Sequence, residues 1–333
     1  MNIGSIRISS TPVLALAPMA GYTDAAFRTL IAQRGADLVF SELSSASALA
    51  RKHGAGFEQD KNTRRLMQVG DFGITGIQLF SSSPADIGAA VTLLRREIEA
   101  GKCKARIIDL NFGCPAPKVV RNGAGSALLA DESKVAAIAA AAVNAAGQIP
   151  ITAKIRLGYR NKNNIQTAKA LEDAGICALT VHGRTAAQKF SGKSDWKSIG
   201  EVVDAVSIPV FGNGDVREPA DVQKIMDESG CHGVMVGRAV LSNPMFFSQA
   251  RQYLDSGRFE PVSWADKIRF MREYILLMPR FDLPFHAAKD LAIQLSVGFR
   301  GSARLRGELM KVKNGEELMA SMQNAAPHAK SEP

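Results

Sequence analysis

The chain of 333 residues, 46% hydrophobic and 22% charged, has the makeup of a globular protein with one large core or a large domain plus a small one. Its four cysteines, Cys103, Cys114, Cys177 and Cys231, lie far apart and form no CxxC pair, which argues against a disulfide framework and against a metal site. A net charge of +9 points to an anionic partner without identifying it.

The first apolar run, Val13 to Ala20, ends in small residues as a signal peptide does. Only Arg7 precedes it as a basic side chain, and Pro18 interrupts it, so a first core strand is the better reading and a cytoplasmic location is expected. No run reaches membrane-spanning length; the Ala-rich stretch from Val135 to Ala146 carries Asn144 and reads as a buried helix.

From there short apolar runs alternate with helical patterns. Predicted strands are Val13–Ala17, Leu38–Ser41, Gly76–Phe80, Arg106–Asn111, Ile151–Ile155, Ala178–Val181, Pro209–Gly212 and Gly233–Val236. Predicted helices between them are Ala25–Arg34, Pro84–Ala100, Glu132–Ala146, Asn164–Ala174, Trp196–Val206 and Pro219–Glu228. Asp24, Ser83, Asp131 and Asp195 stand where N-caps belong, and Gly35, Gly147 and Gly175 where C-caps belong. Eight strands interleaved with helices predict a (β/α)8 barrel, a TIM barrel. A doubly wound open sheet has the same alternation, but no strand here ends in GxGxxG with an acidic residue downstream. After Asn243 the pattern becomes helical (Ser263–Met278, Pro284–Val297, Ser302–Val312), which divides the chain into a barrel domain at 1–243, a small C-terminal helical domain at 244–323 and a flexible tail at 324–333.

A barrel carries its active site at the C-terminal ends of its strands. Those ends read Pro18-Met19-Ala20-Gly21, Glu42, Gln78, Asn111 with Cys114, Lys154 with Arg156, His182 with Arg184, Asn213-Gly214-Asp215, and Gly237-Arg238. Each alone has an ordinary explanation: a packed thiol, a satisfied core histidine, a turn. Their joint placement on successive strand ends is what points to a site. Cys114 is the centre of it, because Gly113, Pro115 and Pro117 end the strand abruptly and hold the thiol on a shaped loop. Lys154 inside an apolar strand calls for an anionic or electron-rich ligand. The loops after strands seven and eight suit a phosphate, and a phosphorylated cofactor with an aromatic ring near Lys154 and Gln78, such as FMN, uses all of these groups.

Positive charge gathers around this face. The loops after strands four to six hold nine cations (Lys118, Arg121, Lys154, Arg156, Arg160, Lys162, Arg184, Lys189, Lys193) with no acidic residue in the same segments. A second cluster, Arg300, Arg304, Arg306, Lys311 and Lys313, is opposed only by Glu308. A basic rim with a basic helical appendage suits a nucleic-acid backbone.

The sequence resembles the tRNA-dihydrouridine synthase family. The matching pieces are Ala17-Pro18-Met19-Ala20-Gly21-Tyr22-Thr23-Asp24, Asn111-Phe112-Gly113-Cys114-Pro115, Lys118-Val119 and Gly123-Ala124-Gly125-Ser126-Ala127-Leu128-Leu129. Lys154-Ile155-Arg156-Leu157-Gly158, His182-Gly183-Arg184-Thr185, Asn213-Gly214-Asp215 and Gly237-Arg238 continue the match in order. The resemblance implies an FMN barrel with a helical tRNA-binding domain, and FMN held by Pro18, Met19, Ala20, Gln78, Lys154, His182, Asn213, Gly214, Asp215, Gly237 and Arg238. It implies NADPH as reductant, hydride delivery to C6 of a flipped-out tRNA uridine, and Cys114 as proton donor to C5. Asn111, Lys118, Arg121, Arg156, Arg184, Arg304 and Arg306 are the expected substrate contacts. A free thiol has a pKa of roughly 8.5, so it is mostly protonated at neutral pH and suits the part of an acid.

Three alternatives follow from the residues alone: an FMN barrel acting on free pyrimidines or dihydroorotate, a Schiff-base lyase using Lys154, and a non-catalytic RNA-binding module. The first leaves the basic rim and helical tail without a use. The second predicts a colourless protein and the third indifference to loss of the Cys114 thiol. No membrane association and no obligate protein partner are expected. Which uridine is reduced depends on how the helical segment orients tRNA.

Overall fold

The computed structural model describes residues 1–51, 65, 68–70, 72–299 and 301–325. Eight parallel strands form its centre: β1 (Val13–Leu16), β2 (Leu38–Phe40), β3 (Ile74–Phe80), β4 (Ile107–Asn111), β5 (Ile151–Arg156), β6 (Ala178–His182), β7 (Val210–Asn213) and β8 (Gly233–Val236). Each pairs with the next in sequence, and the ring closes where β8 meets β1, with Gly233 opposite Val13. This is the expected TIM barrel.

The period of two decides which side chains meet. Leu14, Leu16, Ile77, Leu79, Ile108, Leu110, Ile155 and Val181 point outward into the main core under the helices. Val13, Ala15, Ile107, Ala178, Phe211 and Met235 point inward and fill the barrel's lower interior. On the same inward register, further up, lie Gln78, Asn111, Lys154, His182 and Asn213, so the apolar layer gives way to a polar one toward the C-terminal ends.

An element that sequence patterning did not predict closes the bottom. Asn2–Ile3 and Ile6–Arg7 pair as a short antiparallel ribbon, and its Ile3, Ile6 and Ile8 pack against the lower layer. Strands of two residues are too short to show periodicity. Each buried isoleucine contributes about 1.5–3 kcal/mol, enough for the plug to hold its place.

The surrounding helices are α1 (Ala25–Gln33), α2 (Ala46–Arg51), α3 (Pro84–Glu99), α4 (Glu132–Ala146), α5 (Asn164–Asp173), α6 (Trp196–Ala205) and α7 (Asp221–Ser229). All four expected N-caps are made: Asp24 accepts from the Phe27 amide, Ser83 from Asp86, Asp131 from Lys134 and Asp195 from Ser198. After β8 come α8 (Phe246–Ser256), α9 (Trp264–Leu277), α10 (Phe285–Leu295), α11 (Ser302–Leu309) and α12 (Gly315–Asn324). Of these α8 and α12 had escaped sequence reading.

The C-terminal helices are bolted to the first barrel helix. Phe27 meets Phe270 edge-on with ring centres 5.8 Å apart, and Arg34 pairs with Glu273 at 2.6 Å. Tyr274 donates its hydroxyl to Asp24 at 2.6 Å, and Gln294 donates to the Tyr22 hydroxyl at 3.0 Å. Within this group Trp264 stacks on Phe299 and donates to the Met322 carbonyl at 3.0 Å. No helix among the described residues is long and apolar enough to cross a membrane. Arg300 and most of the tail expected at 324–333 lie outside the described residues.

Candidate active site

A cavity of about 670 Å³ opens at the C-terminal ends of the strands. Cys114, Asn111 and every residue implicated in FMN binding contribute to its wall: Pro18, Met19, Ala20, Gln78, Lys154, His182, Asn213, Gly214, Asp215, Gly237 and Arg238. Arg156 and Arg184 reach it as well.

The Cys114 loop is held from three sides. Asn111 Oδ1 accepts the amides of Gly113 (3.3 Å) and Cys114 (2.9 Å), closing the turn after β4. Arg156 Nε donates to the Gly113 carbonyl at 2.8 Å. From below, the 3₁₀ turn Gly125–Ala130 places the Ser126 amide 3.0 Å from the Cys114 carbonyl. Gly125 has φ 61°, and a Cβ there would lie 2.7 Å from that carbonyl oxygen, so the Gly-x-Gly-Ser segment is a buttress for the thiol loop. Cys114 itself is half-buried, and no imidazole hydrogen-bonds its thiol among the described residues.

Deeper in, polar groups form a chain. Asn111 Nδ2 donates to Gln78 Oε1 (2.8 Å), Gln78 Nε2 to Asp109 Oδ2 (2.6 Å), and Thr152 Oγ1 to Asp109 Oδ1 (2.6 Å). Burial pushes the Asp109 carboxyl up to about 6 against the pull of these two donors and of Lys154. Asp109 carries no role in the sequence reading, although a carboxylate in an apolar strand is as unusual as the lysine that drew notice at 154. Lys154 Nζ donates to Asn213 Oδ1 at 2.9 Å, and Asn213 Nδ2 to the Met235 carbonyl at 2.7 Å. Burial, then the Arg156 charge, brings the Lys154 ammonium down to about 8, so it is still mostly protonated at pH 7.

His182 is neutral. Burial and the surrounding Lys154, Arg156, Arg184 and Arg238 hold its pKa well below the ordinary value. Arg184 Nη1 lies 3.3 Å from its Nε2; a guanidinium only donates, so Nε2 accepts and the ring proton sits on Nδ1.

The nine cations separate into kinds that a linear sequence does not distinguish. Arg184 is 1% exposed and Arg156 2%, so neither is a rim charge. Arg184 pairs with Asp215 at 2.6 Å and donates to the carbonyls of Ser191 and Gly192, while Arg156 also donates to those of Thr185 and Lys189. The acidic partner of Arg184 stands just past the end of β7, outside the loop segment that holds Arg184 and its neighbouring cations. Lys162 pairs with Asp195 at 2.7 Å. Lys118, Arg121, Arg160, Lys189 and Lys193 are exposed and without an acidic partner among the described residues. Lys118 and Arg121, on and just after the single helical turn Pro117–Val120, flank the cavity without lining it. Arg304 and Arg306 stand away from the cavity on α11, where Arg304 pairs with Glu308 at 3.0 Å.

Phe190 is a feature that sequence reading missed. It is 56% exposed at the cavity, with the Arg238 guanidinium 4.7 Å and the Arg156 guanidinium 5.6 Å from its ring centre. Its signal was a lone aromatic between Lys189 and Lys193. At the end of β7, Asp215 has φ 55°, and its carboxylate accepts from Arg184, the Ser194 amide (2.8 Å) and Arg217 (3.5 Å). Burial pushes that carboxyl up, but those donors hold it below its ordinary value. Gly214 beside it, at φ 108°, has no room for a Cβ, which would lie 2.5 Å from Ser194 Oγ.

A TIM barrel with a half-buried thiol, a lysine ammonium and several guanidiniums around a deep opening at its strand ends has the makings of an enzyme. The chain belongs to the dihydrouridine synthase family, whose model matches residues 15–331. It is 39% identical over 271 residues to tRNA-dihydrouridine synthase B of Pseudomonas putida, covering 80% of this chain and 77% of that protein. It is 40% identical over 263 residues to the protein of the same name from Escherichia coli (strain K12), covering 78% and 77%. Among solved structures, the old yellow enzyme homologue from Zymomonas mobilis superposes with a TM-score of 0.51 at 13% identity, over 78% of this chain and 92% of that one, a likeness of fold.

Proposed function

We propose that this protein reduces the C5–C6 double bond of uridines in tRNA to dihydrouridine, with FMN as cofactor, NADPH as reductant and Cys114 as the proton donor. The observation that carries the reading is the Cys114 thiol, fixed by three backbone anchors at the wall of the cavity that Lys154, Gln78 and Arg238 also line. Family membership and the two tRNA-dihydrouridine synthase B relatives support the substrate.

The residues present fit FMN. The cavity volume suits a cofactor of that size. Arg217 and Arg238, at the ends of β7 and β8, suit a phosphate, and Asn213, Gly214 and Asp215 shape the loop beside them. Across the barrel, Gln78 and the Lys154 ammonium suit the polar edge of a ring system, with Pro18, Met19, Ala20 and Gly237 as apolar walls and His182 as a neutral donor. When bound, the flavin supplies the hydride for C6 of the uracil.

The protein's own part is placement and a proton. Cys114 gives its S–H proton to C5 and is reprotonated from solvent, to which the half-buried loop has access. Asn111 has one amide hydrogen left after its bonds to Gln78, Gly113 and Cys114, and offers it to a uracil carbonyl. The buried Arg156 and Arg184 act on the substrate indirectly, by fixing the loops that carry Gly113 and Lys189–Gly192. A tRNA base must leave its stack to enter so deep a cavity. Lys118, Arg121, Arg160, Lys189 and Lys193 hold the phosphates around it, and residues 244–323, with Arg304 and Arg306, form the tRNA-binding domain. Such an enzyme works in the cytoplasm, where tRNA and NADPH are.

The test is Cys114→Ala. FMN content and tRNA affinity should hold while dihydrouridine formation, measured by nucleoside mass spectrometry, falls by about 10²-fold or more. Wild-type turnover in the alanine variant would remove the thiol from the mechanism.

A further inference from the structure

Asp109 does no work in the mechanism described so far, yet it sits 1% exposed in the barrel's interior. Burial there lifts its pKa to about 6, so ionisation at neutral pH costs stability that an apolar residue would not. Its contacts suggest what this expense maintains. The Asp109 carboxylate only accepts hydrogen bonds, so Gln78 must turn its Nε2 toward it, at 2.6 Å. That leaves Gln78 Oε1 facing Asn111, which must answer with Nδ2, at 2.8 Å. Asn111 Oδ1 is then turned to the Gly113 and Cys114 amides, which can only donate. An acceptor-only group at one end and a donor-only pair at the other impose the same direction on both amides between them. Each amide flipped alone would set donor against donor or acceptor against acceptor.

We propose that Asp109 is a positioning residue, fixing the hydrogen-bond polarity of the Gln78–Asn111 chain and through it the Cys114 loop. The inference rests on the reading of Cys114 as the proton donor and extends that reading two residues deeper. Thr152 Oγ1 saturates the second carboxylate oxygen at 2.6 Å, and Lys154 is the charged group that faces Asp109 from β5. The same polarity leaves Gln78 with one spare N–H for the cavity, so Asp109 also fixes what Gln78 presents there.

The test removes the acceptor-only end of the chain. In Asp109→Leu, Gln78 Nε2 loses its 2.6 Å partner and nothing sets the direction of the two amides from below. In Asp109→Asn, the amide oxygen still accepts from Gln78 Nε2 while its N–H turns to the Thr152 hydroxyl, so the native direction is kept. The readouts are the iodoacetamide alkylation rate of Cys114 in the FMN-loaded protein, resolved by peptide mass spectrometry, and dihydrouridine formation on tRNA.

Asp109→Leu should alter the Cys114 alkylation rate and lower turnover by about tenfold each, the scale of one charge-assisted hydrogen bond. Asp109→Asn should keep both within about threefold of wild type. An Asp109→Leu indistinguishable from wild type, or an Asp109→Asn as impaired as Asp109→Leu, overturns the proposal. Should Asp109→Leu fail to fold, Asp109→Ala, which has no acceptor and adds no bulk, takes its place with the same two outcomes. A wild type that makes no dihydrouridine refutes the functional reading alone, since the alkylation comparison needs no turnover.

Discussion

Replacing Arg184 by methionine separates a rim cation from a structural one. The guanidinium is 1% exposed and makes four contacts: Asp215 Oδ2 at 2.6 Å, the Gly192 carbonyl at 2.6 Å, the Ser191 carbonyl at 3.1 Å and His182 Nε2 at 3.3 Å. Breaking a buried pair by removing one partner costs about 3–5 kcal/mol, because the remaining charge is left in poor solvent. Asp215 keeps the Ser194 amide and the exposed Arg217, and the carbonyls of 191 and 192 can turn to water, so the lower half of that range applies. The expected loss is about 3 to 4 kcal/mol in urea unfolding at pH 7, with an unchanged m-value. Arg184→Lys should fall nearly as far, since an ammonium cannot serve the carboxylate and two carbonyls in one plane. The salt dependence of tRNA binding should stay as in wild type, because the guanidinium is 1% exposed and four of its five N–H groups are already engaged. A loss below about 1 kcal/mol, or a salt slope reduced by about one, would refute the assignment of Arg184 to the scaffold.

The remaining predictions concern the buried lysine and the helical segment. Lys154 titrates at about 8 in the fold against 10.5 when free, so the unfolded chain binds more protons between those values and wild-type stability rises with pH across that window. Flavin-free Lys154→Met should therefore be more stable than wild type by about 3 kcal/mol below pH 8, an advantage shrinking toward pH 10; parallel denaturation curves at pH 7 and pH 10 would contradict it. Arg306→Ala with Arg304→Ala should weaken tRNA binding and lower the magnitude of its salt slope, with Arg306 the larger contributor because Glu308 already engages Arg304. An unaltered slope would mean that α11 faces solvent in the complex.

The barrel was legible because its strands are apolar runs of three to seven residues punctuated by capping residues, and these are local signals. Asp24 and Asp131 each accept the amide three residues on, a distance that a linear reading handles well. The wall of the cavity was legible for a related reason, since strand ends in a barrel converge whatever the strands contain. What escaped were facts of partnership. The acid that neutralises Arg184 is 31 residues away, the carbonyls that take up Arg156 belong to three separate residues, and Gln78 meets Asp109 across a strand pair. Charge counted within a loop says nothing of an ion pair made between loops, so the basic rim looked larger than the five cations that are both exposed and without an acidic partner among the described residues. The plug at the barrel's bottom escaped for want of length: four paired residues carry no period.

The anchoring of Cys114 bears on which chemistry its sulfur suits. A cysteine nucleophile needs a base or a fixed positive charge at the sulfur to supply the thiolate. The Asn111, Arg156 and Ser126 bonds all engage the backbone of Gly113 and Cys114, leaving the side chain itself without an imidazole partner among the described residues. The one histidine in the cavity wall is held neutral and spends its Nε2 lone pair on Arg184. A thiol on a rigid backbone with no base hydrogen-bonded to it fits the proposed part of an acid, and the Lys154 and Arg156 charges that act on the sulfur are themselves tied to Asn213 and to backbone carbonyls. The site puts its hydrogen bonds into where the sulfur stands and few into ionising it. That division is what makes the fate of the Cys114→Ala variant informative: the loop should survive the loss of its side chain, because none of the bonds that shape it passes through sulfur.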